Sequence, residues 1–274
     1  MINGASTMDP ISHALAKGAG GHGPVMLMYH SVSPGGGTPA WTWAVSARRL
    51  EAQLDYLKDN GWGTLTMGAL AAGGAPAGRA VVITFDDGYA DNFAAFEMLA
   101  ERGMRATWFM VSGSIGRAPA WPGDGRPAGR LLSGDELRAM QAGGMEIGSH
   151  TRSHCRLTET PPENLEDELR GSREDLEDLL GRPVTSFAYP YGGFDERSVE
   201  AVRGAGYAAA CTTRTGWALR DGDALRMRRV SVFNGDGLGS FARKLAFADN
   251  DVSWTRLGRY ALDRVRSRLG AGAP

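Results

Sequence analysis

The chain has 274 residues, 42% hydrophobic and 22% charged, with 30 Lys and Arg against 31 Asp and Glu for a formal net charge of -1. That length can bury one barrel-sized core, and the even charge balance excludes the global basic field that draws a protein to nucleic acid. Two cysteines, Cys155 and Cys211, are too few for a disulfide framework and lack zinc-site spacing, which is compatible with a reducing compartment.

From the N-terminus, residues 1–23 show no basic region followed by an apolar stretch, and nowhere do 18 apolar residues run together. The expectation is a flexible segment over 1–23 in a soluble, cytoplasmic protein. Residues 24–29 read as an apolar strand that ends at His30. A loop over 31–45 then carries Gly35-Gly36-Gly37 with Trp41 and Trp43, before Leu50, Leu54 and Leu57 fall at helical spacing within 47–60, where Gly61 suits the helix end.

The β-branched run Ala80-Val81-Val82-Ile83 stops at Thr84-Phe85-Asp86-Asp87-Gly88-Tyr89, the pattern of a buried strand that delivers its last side chains to a barrel mouth or sheet edge. Asp-Gly alone also signals a hairpin turn. Residues 91–100, however, read as a capped helix, so the unit is strand, acidic loop, helix. Adjacent carboxylates raise one another's pKa unless a cation or donor separates their roles, which favours a metal on one and proton transfer by the other.

Further along come a strand over 106–111, a Gly- and Pro-rich loop over 112–130 around Trp121, and a capping box at Ser133 to Glu136. The next strand, 146–149, ends at His150, with His154 four positions on, so two of the chain's five histidines sit together. Two imidazoles at that spacing can meet one metal, and a carboxylate completes a three-ligand site with a position open to water, a catalytic arrangement. Leu165, Leu169, Leu176 and Leu180 mark a helix, and strands follow over 185–189, 207–212 and 230–233. Strands and helices alternate, as in an α/β barrel or doubly wound sheet, and the site candidates fall at or just after the C-terminal ends of strands. In the last segment, 249–274, Trp254, Leu257, Ala261, Val265 and Leu269 share a helical face, with Arg256, Arg259, Arg264, Arg266 and Arg268 among the others. Such a helix docks on its own domain or lies on an anionic membrane surface.

These residues resemble the polysaccharide deacetylases, metal-dependent esterases that remove N- or O-acetyl groups from sugars. The family's T-F-D-D-G box stands complete at 84–88 and its H-S/T-x-x-H box at 150–154, while its R-x-P-Y-G box is met in part by Tyr189-Pro190-Tyr191-Gly192. The resemblance implies a distorted (β/α) barrel of about seven strands as a single α/β domain, with the catalytic part over 24–248. It makes Asp86 the general base and Asp87, His150 and His154 the holders of one divalent ion, zinc first, with cobalt or nickel as alternatives. The backbone N–H of Tyr191 is the implied oxyanion donor. The third box lacks its Arg; by alignment Arg229 is the candidate tether for Asp86, the alternative being a solvated strand end. No His follows His154. Rearranged members of the family supply the catalytic acid from the N-terminal strand, which gives His30 that role, the alternative being a strand cap.

Trp41, Trp43 and Trp121 are candidate sugar contacts or ordinary loop packing, and Trp217 is a candidate wall of the acetyl pocket. The expected reaction is metal-dependent removal of N-acetyl groups from N-acetylhexosamine units of a polysaccharide, oligosaccharide or glycolipid. The expected partner is that saccharide, without nucleic acid and with peripheral membrane contact left open. A small-molecule amide hydrolase and a silent carbohydrate-binding module are the alternatives; a silent module is expected to lose a metal ligand or the base, and none is missing here.

Overall fold

A computed structural model describes residues 8–74, 78–123 and 125–259. Its strands are β1 (Val25–Tyr29), β2 (Ser31–Ser33), β3 (Ala44–Ser46), β4 (Gly63–Leu65), β5 (Ala80–Phe85), β6 (Thr107–Met110), β7 (Glu146–Ser149), β8 (Ser186–Ala188), β9 (Ala209–Cys211) and β10 (Val230–Ser231). The main sheet runs β10-β1-β5-β6-β7-β8-β9 with parallel pairings throughout, and β4 joins the edge of β5 next to β6. Met227 bridges Cys211 of β9 while Val230 pairs with Leu27 of β1, so one short segment reaches across the gap between the two ends of the sheet. The result is a seven-stranded α/β half-barrel in one domain, as expected.

Side chains alternate across each strand. Leu27, Tyr29, Val81, Ile83, Phe85, Trp108 and Phe187 face outward into one large core shared with the helices. Met26, Val82, Phe109, Ala188, Ala209, Cys211 and Met227 fill the barrel interior. The strands that were expected over 80–83, 106–111 and 146–149 form close to those bounds. Helix Ala47–Asp59 is capped by Ser46, whose side chain accepts from Arg49 N–H, and buries Leu50, Leu54 and Leu57 completely. The leucine stripe from 165 to 180 stays buried along one helical run, interrupted by a π turn at Asp167–Gly171.

Two regions differ from expectation, and a third is described only in part. Residues 10–17, read as part of a flexible segment, form a helix that Asp9 caps and Pro10 opens; Ser12 and Ala16 are buried, and Arg243 donates to Ser12 Oγ at 2.6 Å. The Asp-Pro pair is the start signal that places this stretch in the folded body. The 31–45 loop is pinned at its base by the parallel pair β2–β3. At the C-terminus, Arg256 pairs with Asp249 at 2.5 Å and Arg243 lies 4.4 Å over the Trp254 ring; Ala261, Arg264, Val265, Arg266, Arg268 and Leu269 of the expected helix lie outside the described residues. No helix among the described residues is long and apolar enough to cross a membrane.

Candidate active site

Strand parity carries the site. Val82 and Thr84 face the barrel interior, so Asp86, one step beyond β5, points there too; its N–H continues the ladder by donating to Tyr29 O at 2.9 Å. Arg229 meets it from below. The Arg229 guanidinium is fully buried and grips both carboxylate oxygens of Asp86, at 2.6 and 2.8 Å, while donating to Thr212 O at 3.0 Å and Thr84 Oγ1 at 3.1 Å. Burial by itself would raise the Asp86 pKa; the Arg229 charge and its hydrogen bonds outweigh that and hold the group below the ordinary carboxylate value. Arg229 is therefore no solvated strand end. It also departs from the expected location, because it precedes β10 and reaches the mouth through the barrel interior.

Asp87 turns away from its neighbour because its backbone is left-handed, with φ of 69°. Its Oδ1 lies 3.2 Å from His154 Nε2 and 3.6 Å from His150 Nε2. Candidate ligand atoms of the three side chains all lie within 4.8 Å of one another. Ligands about 2.0–2.1 Å from a tetrahedral zinc ion stand ~3.3 Å apart, so the group fits such an ion. His150 Nδ1 is bonded to Ala188 O at 2.7 Å, which leaves Nε2 free for the centre. Burial pushes the His150 pKa down to about 4, so its ring is neutral at pH 7, as a ligand must be. Despite burial, the three surrounding imidazoles hold the Asp87 carboxyl well below its ordinary range.

Among the described residues, five besides glycine have positive φ: Asp87, Thr151, His154, Tyr191 and Ala248. Four of them surround this one centre, and such strain persists where surrounding structure over-determines it, typically at functional sites. Tyr191 lies at φ 58° with its ring edge-on to His154 at 4.5 Å and under Arg156 at 3.9 Å. Gly192 follows at φ 71°, and a Cβ there would collide with Thr213. His30 continues the inward parity of Met26 and Met28 and stands beside Asp86, one step beyond the Tyr29–Phe85 pair of the adjacent strands β1 and β5. Its Nδ1 is buried with no hydrogen-bond partner, and burial lowers its pKa.

The sequence profile of polysaccharide deacetylases matches residues 73–210. The Bacillus subtilis protein YxkH is 31% identical over 228 residues, covering 80% of this chain and 76% of that protein. The chain belongs to the polysaccharide deacetylase family. A polysaccharide deacetylase structure from Bacillus cereus is 29% identical, covers 81% of this chain and 68% of that one, and superposes with a TM-score of 0.69. The structure of IcaB from Ammonifex degensii is also 29% identical, with 82% and 97% coverage and a TM-score of 0.66.

In this member of the family the centre opens into a cleft of about 500 Å³ lined by His30, Asp86, Asp87, His150, His154 and Tyr191 together with Trp41, Trp43 and Trp121. The three tryptophans all line this cleft. Trp121 is 7% exposed and stacks on His154 at 4.6 Å, so it buttresses that imidazole, while Trp43 and Trp41 pack around His30 at 4.9 and 6.0 Å. Trp217 is a correction. Its ring packs on His22 at 5.5 Å and its neighbour Ala218 donates to Pro24 O, at the N-terminal end of β1 and so at the end of the barrel away from the acetyl site. Nothing in its local sequence distinguishes the two ends of a barrel.

Tyr89 was not anticipated: 3% exposed, it lines the cleft, and both burial and a hydrogen bond to Asp87 raise its pKa. Its place two residues past Asp87 was the available signal. Arg126 and Arg156 line the same cleft, and a second cleft of about 580 Å³ continues past His154 and Tyr191 toward Thr160 and Glu168.

Proposed function

We propose that the chain is a metal-dependent deacetylase that removes N-acetyl groups from N-acetylhexosamine units of a polysaccharide, oligosaccharide or glycolipid. The observation that carries this reading is the pairing, in one cleft, of an Arg229-tethered Asp86 with the Asp87, His150 and His154 group. Two imidazoles and a carboxylate suit zinc, with cobalt or nickel as alternatives. A divalent ion held there would supply Lewis acidity that polarises an amide carbonyl and acidifies water.

The chain's own residues supply the rest. Asp86, kept ionised by Arg229, takes the proton of the attacking water, and the bidentate grip fixes its orientation during that transfer. The Tyr191 backbone N–H, at the rim beside His154, serves the developing oxyanion. His30 gives a proton to the departing amine; its burial makes the protonated ring a stronger acid than free imidazolium. The indoles near His30 offer apolar faces to a sugar ring. The complete set of groups favours this hydrolase over a silent binding module.

The test is acetate release from N-acetylated oligosaccharides by zinc-loaded protein, read beside metal content. Wild type is expected to hold about one equivalent and turn over, and His154→Ala to lose both. Elemental analysis showing unchanged metal in His154→Ala would remove His154 from the site.

A further inference from the structure

The loop 150–154 holds both imidazoles of the metal group in a backbone with two positive φ values, 65° at Thr151 and 63° at His154. Such a loop keeps its shape when its polar groups are taken up. His150 N–H donates to Met110 O at 2.8 Å, and the carbonyls of Thr151 and Arg152 accept from Ser112 and Gly113 N–H at 3.2 and 2.9 Å. His154 N–H donates to Thr151 Oγ1 at 2.9 Å. The N–H groups of Arg152 and Ser153 both go to one atom, Glu168 Oε2, at 3.0 Å each. Ser153 Oγ donates to the other oxygen, Oε1, at 2.5 Å.

Glu168 sits in the π turn at Asp167–Gly171, where the wider turn changes which side chains face the loop. Gly171 of the same turn lies against the Arg152 guanidinium, which a Cβ would approach to 2.8 Å. That guanidinium pairs with Asp175 at 2.9 and 2.7 Å and with Asp167, and Ser112 Oγ joins Asp175 at 2.8 Å. The π turn and the imidazole loop are thus laced together through side chains that the proposed reaction does not use.

The geometry points to Glu168 as a positioning residue for the metal centre: its carboxylate holds Arg152 and Ser153 so that His150 and His154 converge on Asp87. The inference rests on the metal reading above. Groups that orient metal ligands in this way are typically worth about 10–100-fold in metal affinity.

The test titrates the metal-free full chain with zinc against a chelator and follows thermal unfolding of the same samples. Glu168→Ala should bind zinc about 10–100-fold more weakly. Glu168→Asp, with the charge kept but the reach shortened, should also weaken binding, whereas Glu168→Gln, whose amide oxygen can still accept both N–H groups, should stay near wild type. The Asp and Gln variants carry the test if Glu168→Ala does not fold. Wild-type protein without zinc affinity would overturn the metal reading itself. Wild-type affinity in Glu168→Ala or Glu168→Asp, or loss in Gln with retention in Asp, would overturn the positioning role and leave the metal site standing.

Discussion

Asp86 and His30 stand side by side at the ends of the adjacent strands β5 and β1, yet they are held in different ways. At Asp86 both carboxylate oxygens are gripped by Arg229, and Arg229 is in turn fixed to Thr212 and Thr84, all of them buried. At His30 the backbone is held, by Asn92 Nδ2 donating to His30 O at 2.7 Å, but ring atom Nδ1 has no hydrogen-bond partner and the Trp41 and Trp43 rings pack against the imidazole. In the proposed reaction the acceptor that orients water is thus locked before substrate arrives. The proposed donor is held through its backbone and by ring packing, with no hydrogen bond fixing its buried Nδ1.

The comparison breaks most visibly at Arg229. Arg229→Ala leaves Asp86 buried and unpaired, which should cost about 3–5 kcal/mol of stability as well as activity, measurable by denaturant unfolding. A near-normal unfolding midpoint would show that water reaches Asp86 and that Arg229 does not lock it.

Asp86→Asn should fold, retain metal and lose ~10²–10⁴-fold in kcat, the usual range for a general base. Near-normal acetate release would remove Asp86 from proton transfer.

His30→Ala should lie at the weaker end, ~10²-fold in kcat, with metal retained and the alkaline limb of the rate profile lost or shifted. Melting temperature and turnover on one preparation separate this from a strand cap, whose loss would lower the melting point and spare the specific activity.

The smallest effect lies away from Asp86 and His30. Glu136 completes the capping box at Ser133 and bonds to Arg130, whose hydrogen bond is the main cause of a pKa near 2 in place of 4.5. A depressed carboxylate pKa stabilises the fold above the unfolded value and loses that effect as the pH falls through the folded one. Glu136→Gln should therefore lower stability at pH 7 by ~0.5 kcal/mol, and the gap should close between about pH 4.5 and 2. A gap that persists at pH 2 would assign the effect to the cap and not to the charge.

Much of this was legible in the chain. Apolar runs closed by acids or His gave the strands and carried their last side chains to the mouth, because the extent of a strand is a local property of its residue pattern. The Ser133 capping box and the leucine stripe from 165 to 180 were equally local. Tertiary structure decided the rest. Arg229 reaches Asp86 across 143 positions because β10 lies beside β1 and the barrel interior is narrow enough for one guanidinium to cross it. Trp217 falls at the wrong end, and Glu168 meets the 150–154 loop, for the same reason: which loops share an end, and which helix turn faces which strand, follow from how the sheet curls, and no periodicity along the chain records that.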